Sequence, residues 1–274
     1  MYLWRRTADP RWLSACEGIL QTHGQGLAII ARPGHKRLQL EIACRSQADS
    51  RKLVKEFGGK AQKLSRDWLK RFAGQSEAKP LKIGKRLVVT RSGGLKAAGA
   101  IWKSPFLVIP ASAAFGTGEH PTTAMSLRLL EQITRGLKRG WSLVDLGTGS
   151  GILALAASHF GAGSVIAIDA DPLAISTAKA NARLNKIDNV DFRIGDVRNW
   201  RPSRKIHIVI ANLFSELLIE ILPKVKRADW SILSGVLRAQ EQDFIRALRR
   251  NKIGIVEVRH RGKWIAVLAR RSGP

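Results

Sequence analysis

The chain has 274 residues, of which 45% are hydrophobic, a size that allows one large domain or a catalytic domain with a smaller companion. The hydrophobic fraction is too high for a wholly disordered chain. No run approaches the roughly 20 apolar residues of a membrane-spanning helix, and residues 1–12 lack the apolar stretch of a signal peptide. We therefore expect a cytoplasmic protein that makes no contact with a membrane.

The charge is strongly positive, with 47 lysine and arginine residues against 21 aspartate and glutamate residues and a net charge of +26. Residues 1–100 carry 21 basic and 7 acidic side chains, and the remaining 174 residues carry 26 and 14. Such a field attracts polyanions, so RNA or a ribonucleoprotein is an expected partner. A general bias toward basic residues would give the same composition without such a partner.

The first 60 residues predict a small α+β domain. Apolar residues at helical spacing indicate a helix over 12–23. Two apolar segments joined by a Pro-Gly turn indicate a hairpin over 27–44, and residues 47–57 predict a second helix. Residues 61–105 are predicted to form a linker with a short sheet, since only the segment 86–90 is clearly strand-like.

Strand-like and helix-like segments alternate between residues 106 and 274. The strand-like segments are near-continuous runs of Val, Ile and Leu, which is typical of a parallel sheet buried on both faces. Too few residues separate the last two strands for a helical crossover, so these two are predicted to pair antiparallel. The sequence thus predicts a Rossmann-like α/β domain. Its predicted strands are 141–146, 164–169, 189–194, 206–212, 229–235, 253–259 and 263–270, and its predicted helices are 152–160, 172–185, 214–225 and 239–251.

A glycine-rich loop follows the first strand of this domain. Asp145 lies near the end of the strand, and Gly147, Gly149 and Gly151 follow it in a G-x-G-x-G pattern. Glycines at such a turn let the backbone approach a ligand closely. The spacing differs from the dinucleotide pattern and lacks the lysine of a phosphate loop. We predict that all three glycines bind a ligand, although a tight turn without function would also account for the pattern.

Two acidic residues follow the next two strands. Asp169 ends the second strand, where its carboxylate can accept hydrogen bonds from both ribose hydroxyls of a nucleoside. Capping of the following helix is its structural alternative, although Asp171 can serve that purpose as well. Asp196 follows the third strand and is predicted to meet an adenine edge, with a simple turn as the alternative.

Asn212 and a glycine- and hydroxyl-rich loop complete the candidate site. Asn212 ends the fourth strand, at the carboxyl edge where α/β sheets bind ligands. Its amide can hold an amino-acid moiety or an amine that reacts, and the alternative is capping of the next helix. The loop 115–123 reads FGTGEHPTT, and its composition indicates either a helix cap or a lid over the ligand.

Several of these segments together resemble one bacterial enzyme family. AFGTGEHPTT (114–123), VDLGTGSGILALAA (144–157) and AIDADPLAI (167–175) are similar to the family that methylates ribosomal protein L-eleven, and the match covers roughly 68–274. The resemblance implies a small ferredoxin-like N-terminal domain that grips the substrate, a linker and a class I methyltransferase domain. It also implies a ribosomal protein as substrate and S-adenosylmethionine as cofactor. The cofactor contacts implied by matching motif positions are Thr123, Gly147, Asp169 and Asn212.

Two segments depart from the pattern of that family. The family has Asp-Pro-Gly before the AFGTG motif, where this chain has Pro-Ala-Ser-Ala-Ala over 110–114. After the asparagine the family has Ile-Leu-Ala, where this chain has Leu213, Phe214 and Ser215. The second departure borders the expected acceptor pocket, so it leaves the acceptor more open than the cofactor.

In the expected reaction the main contribution of the protein is to orient the reactants. A sulfonium methyl group is already electrophilic and must only be held in line with the acceptor nitrogen. We expect lysine side-chain or N-terminal amines as acceptors. Asn212 and His120 are the candidate catalytic residues, with His120 as the candidate general base or alternatively a structural residue. The histidines form no metal set. The competing hypotheses are a methyltransferase acting on ribosomal RNA, with Phe214 stacking a base, and a non-catalytic protein that binds RNA or the ribosome.

Overall fold

The structure is a computed structural model that describes residues 2–9, 12, 16, 27–30, 37–44, 46–63, 80–91, 105–110, 118, 120–202 and 205–271. The contacts divide the chain into two compact units, Met1–Ser76 and Glu77–Pro274. The division into ranges 1–60, 61–105 and 106–274 stays a prediction. No helix in the described part of the chain combines the length and apolar character needed to cross a bilayer.

The N-terminal unit contains a four-stranded antiparallel sheet in the order β2-β3-β1-β4. Helix α1 begins with a capping box in which Ser46 and Asp49 each accept a hydrogen bond from the backbone N–H group of the other. Trp4 and Leu53 are fully buried in the core between the sheet and this helix. The elements are β1 (Tyr2–Ala8), β2 (Leu27–Ile30), β3 (Leu38–Cys44), α1 (Gln47–Phe57) and β4 (Lys60–Lys63).

Two predictions for this unit stay predictions. The helix expected over 12–23 lies almost wholly outside the described residues, of which only Trp12 and Cys16 are helical. The ferredoxin-like interpretation requires that helix, so the described strands alone do not test it. β4 pairs with β1, which places the last strand of the N-terminal sheet at the start of the range predicted as linker.

The C-terminal unit begins with a small sheet and continues as alternating strands and helices. In the small sheet β6 pairs antiparallel with β5 and parallel with β7, and β6 coincides with the strand predicted over 86–90. The elements are β5 (Leu81–Ile83), β6 (Leu87–Thr90), β7 (Phe106–Val108), α2 (Pro121–Thr134), β8 (Trp141–Leu146), α3 (Ile152–His159), β9 (Ala162–Asp169), α4 (Pro172–Leu184), β10 (Val190–Ile194), β11 (Ile208–Asn212), α5 (Ser215–Val225), β12 (Trp230–Leu237), α6 (Glu241–Arg250), β13 (Ile253–Arg261) and β14 (Trp264–Arg271).

A seven-stranded sheet in the order β10-β9-β8-β11-β12-β14-β13 forms the centre of this unit. The first five strands in that order are parallel, whereas β14 pairs antiparallel with both β12 and β13. The predicted Rossmann-like sheet with an antiparallel pair at the end of the chain is confirmed. Because the chain runs from β8 outward through β9 and β10 and then returns to β11, the strand order reverses between β8 and β11. Ligands bind at such a reversal in open α/β sheets.

Helices cover both faces of the sheet. On β11, Ile208 and Ile210 pack into one hydrophobic core, and Val209 and Ala211 pack into the other. Both faces are buried because successive strand residues point to opposite sides, and this accounts for the uninterrupted apolar sequence of the strand. The sheet is thereby held rigidly between two helical layers, and its carboxyl edge is a fixed platform for a site.

Candidate active site

A cavity of about 470 Å³ lies at the carboxyl ends of β8, β9 and β11. It is therefore located at the point where the strand order reverses, as expected for an open α/β sheet. Five of the residues predicted to bind the cofactor or to take part in catalysis line it together with five other residues. The predicted ones are His120, Gly147, Gly149, Asp169 and Asn212, and the others are Thr122, Leu213, Phe214, Gly235 and Trp264.

The glycine loop is tied by its backbone to the neighbouring strand β9. The N–H groups of Gly147 and Thr148 both donate to the carbonyl of Ile168, at 2.8 and 3.0 Å. The N–H of Gly149 donates to Oδ2 of Asp169 at 2.9 Å. These bonds set the loop beside the end of β9, so the glycines and the carboxylate face the same cavity.

Asp169 is half-buried and keeps part of its hydrogen-bonding capacity for a ligand. Its two oxygens accept backbone N–H groups from Gly149 at 2.9 Å and from Asp171 at 3.0 Å, which leaves lone pairs on both oxygens. The cap of α4 is Asp171, which accepts the N–H of Leu173 at 2.8 Å. Asp171, and not Asp169, therefore caps this helix.

A buried polar network fixes the amide of Asn212. Its Oδ1 accepts from the hydroxyl of Ser234 at 3.0 Å, and its Nδ2 donates to Oγ1 of Thr123 at 3.4 Å. Ser234 also bonds to the hydroxyl of Ser126 at 2.7 Å. Thr123 thus lies behind the asparagine, outside the cavity lining. The capping alternative for Asn212 does not occur, since the residue at the N-cap of α5 is Phe214.

His120 lies at the N-cap of α2, where its side chain makes no capping hydrogen bond. Its Nδ1 is 2.7 Å from the hydroxyl of Thr122, and its ring packs edge-on against Trp264 at 5.0 Å between ring centres. Burial, together with the positive charge of Lys263, lowers the pKa of His120. The imidazole is therefore neutral at pH 7 and able to accept a proton or a hydrogen bond.

Two other predicted residues lie away from the cavity lining. Gly151 is the N-cap of α3, where a Cβ would come within 2.9 Å of Ala178 Cβ, so the glycine allows close packing of α4. Asp196 accepts hydrogen bonds from the backbone and the side chain of Arg198 at 2.8 and 3.3 Å. The part of the loop formed by residues 115–117 and 119 lies outside the described residues, so the lid hypothesis stays a prediction.

Trp264 and Gly235 are the lining residues that sequence reasoning missed. Trp264 begins the last strand, and the antiparallel pairing of β14 with β12 brings it to the carboxyl edge of the parallel strands. A lone tryptophan directly after a Gly-Lys turn was the only available signal. Gly235 lies within β12, and its importance comes from a close contact with the backbone of Leu213, directly after β11.

That contact holds Leu213 between two glycines. A Cβ on Gly147 would lie 2.4 Å from Leu213 Cδ2, and a Cβ on Gly235 would lie 2.2 Å from the Leu213 carbonyl oxygen. Both glycines have positive φ, +75° and +95°, which side chains rarely tolerate. The N–H of Leu213 donates to Ser234 O at 3.0 Å. These contacts place Leu213, and with it the neighbouring residues Asn212 and Phe214, at the edge of the cavity.

Beneath the glycine loop lies a buried carboxyl group. Asp145 is fully buried, and its Oδ2 accepts a hydrogen bond from the hydroxyl of Thr148 at 2.6 Å. Burial raises the pKa of Asp145 to about 7, although the bond from Thr148 acts in the opposite direction. A shift of this size corresponds to roughly 4 kcal/mol against ionisation. The group is thus partly protonated near neutral pH.

The strand order and the position of the cavity define the fold of the class I methyltransferases. The crystal structure of a ribosomal protein L11 methylase from Lactobacillus delbrueckii subsp. bulgaricus is similar, with a TM-score of 0.60 and 25% sequence identity over 71% of this chain and 99% of that chain. The family model described as ribosomal protein L11 methyltransferase (PrmA) matches residues 25–272. The chain belongs to this family, and the resemblance noted in the sequence is confirmed.

Curated relatives agree with this assignment. The ribosomal protein L11 methyltransferase of Lacticaseibacillus paracasei is 35% identical over 165 residues, which is 59% of this chain and 51% of the relative. The enzyme of the same name from Heliobacterium modesticaldum is 34% identical over 207 residues, 71% of this chain and 61% of the relative. The match therefore spans about half to three fifths of the length of these relatives.

We predict that the two glycines around Leu213 respond differently to substitution. Gly147→Ala clashes with a side-chain atom, so Leu213→Ala should relieve it, with a favourable coupling of about 1 kcal/mol in a double-mutant cycle. Gly235→Ala clashes with a backbone oxygen and should cost roughly 3 kcal/mol with no relief from Leu213→Ala. Denaturant unfolding of the single and double variants measures both couplings. Equal couplings would contradict the proposed contacts.

We predict that Asp145→Asn changes how stability depends on pH. The folded state retains the proton of Asp145 up to about pH 7, whereas the unfolded chain releases it near pH 4. The contribution of Asp145 to the free energy of unfolding is present at low pH and is lost as pH rises through about 7. The stability of the variant relative to the parent should increase between about pH 4 and pH 7 and stay constant above that. Asp191→Asn, on an exposed carboxylate, is the control. Parallel pH profiles for Asp145→Asn and the parent would contradict the raised pKa of Asp145.

Proposed function

We propose that the protein is an S-adenosylmethionine-dependent methyltransferase acting on lysine side-chain or N-terminal amines of ribosomal protein L11. The observation that carries the proposal is that Asp169, the glycine loop and Asn212 all border one cavity at the reversal of the sheet. Family membership supports the same activity and names the substrate. Because the match covers only part of the length of the curated relatives, activity, substrate and partners are all part of the proposal.

The lining residues suit the cofactor. Asp169 has free lone pairs for the ribose hydroxyls. In our proposal the backbone of Gly147 and Gly149 approaches the nucleoside, and Asn212 holds the methionine moiety. Three further residues contribute from outside the cavity lining. Thr123 supports Asn212 by a hydrogen bond, and Gly151 allows α4 to pack closely. Asp196 contacts the adenine in our proposal.

When bound, S-adenosylmethionine supplies an electrophilic methyl group on a positively charged sulfur. The contribution of the chain is then orientation, which can account for much of the rate of a transfer reaction. Asn212 suits this task because Ser234 and Thr123 fix its amide in one orientation. The close approach of Gly147 and Gly235 to Leu213 supports the same geometry, since it fits the residue that follows the asparagine tightly into the fold.

The acceptor amine must lose a proton before it can react, because a lysine with its ordinary pKa of about 10.4 is charged at neutral pH. We assign His120 to receive that proton, directly or through water. Its lowered pKa keeps the ring neutral, and its Nδ1 already faces the hydroxyl of Thr122.

The net positive charge and the exposed ring of Phe214 indicate which partners the protein binds. The net charge of +26 supports contact with ribosomal RNA next to the protein substrate. Phe214 borders the cavity and is 75% exposed, so it can stack a nucleobase. This ring is the observation that favours the second candidate function, methylation of ribosomal RNA.

We expect Asp169→Asn to weaken cofactor binding at least tenfold, because charge-assisted hydrogen bonds contribute about 1.5–3 kcal/mol each. Isothermal calorimetry with S-adenosylmethionine measures the change. Asp191→Asn removes an acidic side chain from the neighbouring strand β10, away from the cavity, and should bind the cofactor like the parent. Unchanged affinity in Asp169→Asn would remove the ribose contact from the proposal.

The acceptor is tested by incubating the protein with radiolabelled cofactor and ribosomal extract, followed by protease or nuclease. We expect the label to be lost to protease, to survive nuclease and to migrate with ribosomal protein L11. Label lost to nuclease would instead establish RNA as the acceptor. Label in neither fraction, with no heat of cofactor binding, would leave only a binding protein.

A further inference from the structure

We infer that a ridge of basic side chains beside the cavity binds the phosphate backbone of single-stranded RNA. This basic ridge consists of Arg128 on α2, Arg259 and Arg261 on β13, and Lys263 at the turn before β14. The inference rests on the proposed function because it gives a position to the RNA contact proposed there. It adds a surface and a binding chemistry that the cofactor site itself does not contain.

The fold brings these four residues together from helix α2 and from the hairpin of β13 and β14. β13 and β14 form a hairpin in which Arg261 pairs with Trp264 across a turn at Gly262. The N–H of Arg238, just after β12, donates to the carbonyl of Lys263 at 2.8 Å and holds this turn in place. Helix α2 packs against both strands of the hairpin, and Arg128 on that helix is close enough to Arg259 and Arg261 to feel their charges.

Little negative charge compensates the basic ridge. Glu257 pairs with Arg259 at 2.6 Å, and Glu241 is 2.9 Å from His260. Among the residues that the structure describes, no carboxylate lies within 4.0 Å of Arg128, Arg261 or Lys263. Burial and the two neighbouring guanidinium groups lower the pKa of Arg128. Such a concentration of like charge favours an anionic ligand that would relieve the repulsion.

The ridge is adjacent to the cavity. Lys263 precedes Trp264, and its Nζ lies 5.4 Å from the centre of that ring. Trp264 packs on His120, and both residues line the cavity. Single-stranded RNA bound along the ridge would therefore lie beside the cavity.

Side-chain chemistry favours RNA over an acidic protein. Guanidinium groups bind phosphates through paired hydrogen bonds, and single-stranded RNA adds bases that stack on aromatic rings. Phe214 and Trp264 supply two such rings at the same cavity, and Phe214 is 75% exposed. An acidic peptide could use the positive charges but would leave these rings without a partner.

The test compares two double variants with equal loss of charge. Arg128→Gln with Arg261→Gln removes two cations of the ridge, whereas Arg249→Gln with Arg250→Gln removes two exposed cations at the end of α6. Fluorescence anisotropy with a labelled RNA of about 20 nucleotides is measured over a range of salt concentrations. The ridge variant should bind about tenfold more weakly, with a salt slope smaller by about 1.4, and the control should change by less than about threefold.

Equal losses in the two variants would show diffuse attraction and overturn the ridge, as would an absence of RNA binding by the parent. Poly-glutamate competing as well as RNA of matched charge would also overturn it, because the phosphate and base contacts would then add nothing. Calorimetry with S-adenosylmethionine is run on every variant. Since the ridge lies outside the cofactor contacts, cofactor binding should persist in all of them, and its absence in the parent would count against the proposed function alone.

Discussion

The position of one backbone carbonyl constrains the whole candidate site. The oxygen of Leu213 lies 2.2 Å from where a Cβ on residue 235 would be, and the side chain of the same leucine lies 2.4 Å from where a Cβ on residue 147 would be. The segment after β11 can approach β12 and the glycine loop this closely only because residues 235 and 147 lack a side chain. Asn212 and Phe214 flank the leucine, so the same close approach sets their positions at the cavity.

Polar groups then give the rigid platform its chemistry. Asp169 is oriented by two backbone N–H groups, and the amide of Asn212 is oriented by buried hydroxyl groups. Such preorganisation costs nothing at the moment of reaction, since the groups do not have to rearrange. The buried Asp145 under the loop has the opposite character, because burial, and to a smaller extent the charge of Asp169, raises its pKa to about 7.

The basic residues are spread over the whole chain, whereas the site residues lie at one edge of the sheet. The excess of basic residues extends over both the first 100 residues and the rest of the chain, and such a field favours polyanions in general. The basic ridge at the β13–β14 hairpin is the part of that field next to the cavity. The cavity, the rings of Phe214 and Trp264 and the ridge are thus neighbours, as the proposed RNA contact requires.

The sequence by itself determined the class of fold and half of the site. Strand-helix alternation with apolar runs predicted the Rossmann-like sheet, since burial on both faces requires such runs. The short connection before the last strand predicted its antiparallel pairing. Gly147, Gly149, Asp169 and Asn212 could be identified because residues at the ends of parallel strands meet at one edge.

The other half of the site could be identified only from the tertiary structure. Gly235 and Trp264 reach the cavity through the pairing of β12 with β14, a long-range contact that leaves no periodic trace in the chain. The same is true of the ridge, in which Arg128 is far in sequence from Arg259 and Arg261. Asp171 rather than Asp169 caps α4, a choice between two neighbouring carboxylates that depends on backbone geometry. Local patterns specify elements and their ends, whereas contacts between elements depend on how those elements pack.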